Sequence, residues 1–172
     1  MNNEISIYLA HALTKASPQF LHRMVLVREA LERLPMTTVL RFAWIDGVGP
    51  RTDIENIYTF DIGRVRSCSL LVGVAEEQSD ALWVELHERC VEKRPFMLFV
   101  PKGYRISRFI ADAIKAHRLP LLRDPRYEAQ GRELRDPIEF SCDEDIINLV
   151  AGWVRDHLPK KTILASQAVH SV

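Results

Sequence analysis

Residues 69–75 (SLLVGVA) offer no polar face and stand between two segments with helical periodicity. A strand open to water on one side alternates apolar and polar residues, so a strand without a polar face must be covered on both sides. The run therefore predicts the centre of a sheet with helices packed on each face. The rest of the chain reads around that strand.

Residues 4–10 are short and β-prone, and predict a first strand. Ser17-Pro18 then supplies an N-cap and a first-turn proline for a helix in which Phe20, Met24, Val27, Leu31 and Leu34 recur at helical spacing. Residues 37–45 (TTVLRFAWI) predict a second strand, followed by a loop over 46–52 with Gly47, Gly49 and Pro50. Asp53 is placed to cap a helix with Ile54, Ile57, Tyr58 and Val65 facing inward. After the central strand, Ser79 or Asp80 caps a helix that runs to Lys93, and 96–100 (FMLFV) is another buried strand. A helix over 105–117, a polar surface excursion over 122–136 and a short last strand over 137–141 follow. Asp143 caps a final helix with Ile146, Ile147, Val150, Trp153 and Val154 as its buried stripe.

Strands alternating with helices across short connections imply right-handed crossovers and a parallel sheet. The predicted fold is a doubly wound, flavodoxin-like or Rossmann-like α/β sheet of about five strands, formed by residues 1–158 as a single domain. Residues 159–172 read as a C-terminal tail or dimer arm. Ligands of such sheets bind beyond the carboxyl ends of the strands.

Composition removes several function classes. Lys plus Arg and Asp plus Glu both count 23, which leaves no electrostatic warrant for a nucleic-acid or anionic-membrane partner. No stretch is long and apolar enough to span a bilayer, and the opening MNNEISIYLAHAL does not read as a signal peptide. Cys68, Cys90 and Cys142 lack metal-ligand spacing, which suits reduced thiols and a cytoplasmic location. His22, His87 and His117 are scattered without a partner pattern, so no metal site is expected. There is no Walker loop and no dinucleotide fingerprint, and no cofactor is expected. A phosphoacceptor receiver is disfavoured, because no acidic pair follows the first strand and the central strand ends in Ala75-Glu76-Glu77.

The candidate site residues are those at strand ends or facing inward from helices. Asp61 lies four residues after Ile57 and four before Val65, which sets a carboxylate on the apolar face of its helix. Such a group is either structural glue, held by local donors, or part of a site. Glu85 lies about one turn into the helix after the central strand, between Leu82 and Leu86 on the inward side; it either reaches a ligand or pairs with Arg89 in solvent. His11, Thr14, Lys15 and Ser17 gather hydroxyls, a cation and free backbone N–H groups at one helix start, an arrangement that suits an anion. Trp83, close to Glu85, is either core packing or a stacking surface.

At these residues the chain resembles the nucleoside 2-deoxyribosyltransferase family and the related nucleotide N-glycoside hydrolases. The resemblance is carried by the opening strand IYLAHAL and by the run from Ile57 to Val100, which orders an Asp-bearing helix, an apolar strand, a polar loop, a helix with Glu followed by Leu, and another strand. It implies that Glu85 is a carboxylate nucleophile at an anomeric carbon and that Asp61 helps handle the base or ribose. It also implies that Ser79 or Asp80 lies near the sugar hydroxyls or a phosphate. Tyr8, on the opening strand, joins His11, Thr14, Lys15, Ser17, Ser79, Asp80 and Trp83 in the expected substrate-binding set. The partners implied are a small-molecule nucleoside or nucleotide and, as in relatives that complete the pocket from a neighbouring chain, a second copy in a homodimer or higher oligomer. The central stretch also resembles TIR-type domains, in which a glutamate followed by leucine cleaves NAD. Ala81, Trp83 and His87 stand where the family usually carries glycines, and His11 where it carries a small residue. That bulk favours the competing expectation, a catalytically silent nucleotide-binding sensor or interaction module.

Overall fold

The computed structural model describes residues 4–13, 15–40, 44–45, 49–50, 53–104 and 137–158. The predicted helix over 105–117, the excursion over 122–136 and the tail over 159–172 lie outside the described residues.

Five parallel strands form the sheet: β1 (Ile5–His11), β2 (Thr37–Leu40), β5 (Leu70–Val74), β6 (Phe96–Pro101) and β7 (Ile138–Phe140), in the order β2-β1-β5-β6-β7. Counting only the parallel strands, this is the 2-1-3-4-5 order of flavodoxin-like folds, with its topological switch point between β1 and β5. β5 is the third strand of five and every residue of it is buried, as its unbroken apolar run implies.

The stretch expected as the second strand contains two described elements. β2 spans Thr37–Leu40, while Trp44–Ile45 (β3), expected in the same strand, pairs antiparallel with Gly49–Pro50 (β4), which lies inside the segment expected to be loop. Among the described residues β2 is an edge strand, paired with β1.

Two helical layers cover the sheet. α1 (Pro18–Glu32) and α4 (Asp143–His157) bury Phe20, Met24, Val27, Ile146 and Val150 against Ile7 and Leu9 of β1 and Val72 of β5. On the opposite face, α2 (Ile57–Ser67) and α3 (Asp80–Val91) pack Val65, Leu82 and Leu86 against Tyr8, Ala10 and Leu71. Period-2 alternation along β1 sends Ile7 and Leu9 to one layer and Tyr8 and Ala10 to the other.

Helix starts follow local capping chemistry. Ser17 accepts the Phe20 N–H with Pro18 in the first turn, and Ser79 accepts the Leu82 N–H, both at expected positions. α2 differs from expectation. Its cap is Asn56, which accepts the Thr59 N–H, rather than Asp53. Ile54 therefore precedes the helix, Ile57 and Tyr58 are exposed, and the inward stripe is Ile62 and Val65. α4 is capped at Cys142, and Asp145 accepts the N–H groups of Ser141 and Cys142, so Asp143 is the first helical residue rather than the cap.

Candidate active site

Gly73 of β5 sets how closely α3 approaches the sheet. A Cβ there would stand 3.1 Å from Leu82 Cδ1 and 3.5 Å from Leu98 Cδ1. Its ladder partner on β1 is Ala10, so two small residues lie side by side under the first turn of α3. One turn further along, α3 presents Leu82, Glu85, Leu86, Arg89 and Cys90 to the interior, the spacing of an amphipathic stripe with two charges in it.

Glu85 is 7% exposed, and Tyr8, which is fully buried, donates its hydroxyl to Glu85 Oε1 at 2.8 Å. Burial pushes the Glu85 carboxyl up to about 8; the Tyr8 hydrogen bond pulls it down, and the neighbouring Asp61 pushes it up again. Burial, and then the facing Glu85, hold the Tyr8 hydroxyl far above its ordinary range, so it stays protonated and serves as a donor. Asp61 acts electrostatically on both Glu85 and Tyr8, which places the three acidic groups in one neighbourhood between α2, α3 and β1. Asp61 is half-buried beside Ile62, on the flank of the inward stripe rather than at its centre. Helical spacing from Ile57 overstates its burial, because Ile57 is itself exposed.

Glu85 does not pair with Arg89. Arg89 is wholly buried and directs all five of its N–H groups at backbone carbonyls: Val65, Cys68, Ser69 and, twice, Pro95. It ties the end of α2 to the starts of β5 and β6, towards the amino ends of the strands. Its place was legible, since Arg89 lies three residues after Leu86 on the same stripe; i,i+4 pairing with Glu85 was the competing pattern and the carbonyls won.

The predicted anion group does not join the carboxylates. His11 faces the α1 layer, where its ring meets Phe20 edge-on and Nδ1 lies 2.8 Å from the Ala12 carbonyl. The Ser17 backbone N–H and hydroxyl donate to the two oxygens of Glu77, at 2.7 and 2.6 Å, so a carboxylate of the chain occupies the start of α1. Lys15 is exposed and Thr14 lies outside the described residues. His11 and Ser17 thus approach the sheet from the face opposite Glu85, because β1 side chains alternate between faces and α1 and α3 leave the switch point on opposite sides. Tyr8, expected to touch substrate, lies fully buried with its hydroxyl on Glu85. Ser79 caps α3, Asp80 is exposed, and Trp83 is half-buried against the α3 core.

Charges that sequence reasoning missed surround the same edge. Arg23 of α1 donates Nη1 to Glu76 at 2.7 Å, and Nε and Nη2 to the two oxygens of Asp143 at 3.0 and 2.5 Å. The Asp143 bonds, foremost, raise the guanidinium above its ordinary value. A cleft of about 510 Å³ opens beside this trio, bordered by Lys102, Phe140 and Ser141 at the ends of β6 and β7. These partners lie 53 and 120 residues from Arg23, and no local pattern announces them.

Among the described residues no His, Cys, Asp and Glu cluster could hold a metal ion, and no helix is long and apolar enough to cross a membrane. No protein-family model matches the chain, and no curated protein does. A solved structure that is similar is the crystal structure of a conserved protein from Enterococcus faecalis V583, at 15% identity over 84% of this chain and 96% of that one, with a TM-score of 0.47.

Proposed function

We propose that the chain cleaves or transfers an N-glycosidic bond in a nucleoside, nucleotide or NAD-like ligand, with Glu85 as the nucleophile. The observation that carries this reading is a buried carboxylate held by a tyrosine hydroxyl instead of a cation, with a second carboxylate in electrostatic reach. A buried acid without a counter-charge is costly to a fold and is suited to chemistry in which charge appears and disappears. A Glu85 oxygen bonds to the anomeric carbon as the carbon–nitrogen bond breaks, and the nitrogen keeps the electron pair. Asp61 relays a proton from solvent to the departing base, so that the base leaves neutral. Water then releases the sugar, or a second base accepts it. Tyr8 acts through Glu85, as a positioning residue that keeps one carboxylate oxygen in place.

The test is incubation with a panel of nucleosides, nucleotides and NAD, with free base measured by chromatography. Glu85→Gln keeps the shape of the site and is expected to abolish base release while ligand binding remains. Release that survives this substitution unchanged removes the nucleophile assignment. A second reading, a silent ligand-binding module, is favoured by the Glu77 carboxylate on Ser17. Binding of a panel member without base release selects it. The proposal includes a homodimer or higher oligomer, supported by exposed Ile57, Tyr58 and Val84 on α2 and α3; a monomer mass by light scattering removes that part.

A further inference from the structure

The connection from β5 to α3 is strapped across the switch point. β1 and β5 are neighbours, and the helices that follow them pack on opposite faces of the sheet. The crevice between their carboxyl ends is where a ligand enters a sheet of this order. Glu77, in the connection that leads to Glu85, crosses it and takes both the backbone N–H and the hydroxyl of Ser17. Its neighbour Glu76 is bound by Arg23 Nη1, and Asp143 is bound by Nε and Nη2 of the same guanidinium. The Ser17 N–H and hydroxyl, and Nε, Nη1 and Nη2 of Arg23, are thereby each directed at a carboxylate of the chain. Lys15, a further cation of the β1–α1 connection, is exposed, where solvent screens it.

We propose that Glu77 is a specificity-determining residue that excludes anionic ligands from the crevice, so that the substrate class is the uncharged nucleoside rather than its 5′-phosphate or a dinucleotide. The inference rests on the N-glycoside reading of Glu85, because a ligand whose anomeric carbon meets Glu85 lies along the edge that Glu77 spans. A phosphate brought there meets a fixed negative charge already holding the best donors. Like charges opposed at close range are a general means of rejecting a wrong partner.

The experiment compares binding of a purine nucleoside and its 5′-monophosphate by calorimetry, with base release followed in parallel. The wild-type chain is expected to bind the nucleoside about tenfold or more tightly than the monophosphate, with the ratio falling as salt is raised. Glu77→Gln, which keeps the size and removes the charge, is expected to bring the ratio towards one while the nucleoside affinity persists; retained nucleoside binding shows that the variant is folded. Glu85→Gln is expected to leave the ratio as in the wild type. Equal or tighter binding of the monophosphate by the wild type, or a ratio unmoved in Glu77→Gln, overturns the role of Glu77 whatever happens to base release. A ratio that behaves as stated with no base release overturns the glycoside chemistry and keeps the selectivity. If neither compound binds, both fall.

Discussion

Glu85 and Arg89 are one turn apart on the same face of α3, both buried, and the protein treats them in opposite ways. Arg89 lies towards the amino ends of β5 and β6, where it meets four backbone carbonyls. Glu85 has one hydrogen-bond donor among the described residues, Tyr8, and an acidic neighbour, Asp61. A buried cation with every N–H matched is part of the scaffold. A buried acid whose neighbours pull its proton affinity in both directions is available for chemistry. Burial of a charge does not identify a site; the completeness of its partners does.

The largest effect that tests this contrast is Arg89→Met. It leaves the Val65, Cys68, Ser69 and Pro95 carbonyls without their donor, and a loss of about 3–5 kcal/mol in urea unfolding is expected. A loss below about 1 kcal/mol would mean that water or other donors replace the guanidinium, and the scaffold role would go.

Stability against pH comes next. Glu85 is raised from an ordinary carboxyl value to about 8 in the folded chain, so the fold holds a proton that the unfolded chain releases. Its contribution is full below the unfolded carboxyl range and is lost as pH rises through about 8. Glu85→Gln cannot lose that proton. Relative to the wild type it is expected to gain on the order of a few kcal/mol between pH 5 and pH 9, measured by urea titration at each pH. A pH-independent difference would show that Glu85 is not held protonated.

A finer comparison uses the two groups that act on Glu85 in opposite senses. Tyr8→Phe removes the bond that lowers its proton affinity, so the rise of kcat/KM with pH, which follows ionisation of the nucleophile, moves to higher pH. Asp61→Asn removes the charge that raises it, so the same rise moves to lower pH. Shifts in the same direction would break the three-residue arrangement. The Tyr8 substitution also costs about 1 kcal/mol of stability.

The smallest expected effect is at the edge. Arg23 is 35% exposed along its side chain, and its carboxylate partners keep access to water. Arg23→Ala is expected to cost less than about 1 kcal/mol in urea, and less still at high salt. A loss equal to that of Arg89→Met would erase the distinction between scaffold and edge.

Much of this architecture was legible in residue order. The unbroken run around β5 announced a strand covered on both faces, Ser17-Pro18 announced the start of α1, and Ser79 that of α3; each depends on neighbours within a few residues, where propensity and capping act. Even there, counting failed by a turn in α2, because Asp53 and Asn56 are both competent caps and the helix starts from Asn56. Of the candidate site, the inward direction of Glu85 was readable from Leu82 and Leu86. Its partner was not. Tyr8 lies 77 residues away, and the Ser17–Glu77 contact joins residues 60 apart. For β1, β5, α1 and α3, sequence alone determined the element and the face it buries, since those are decided by local period and by the aversion of apolar side chains to water. Only the tertiary structure decided which charge is saturated and which is left reactive, because that depends on which strand ends, carbonyls and carboxylates the 2-1-3-4-5 sheet brings together.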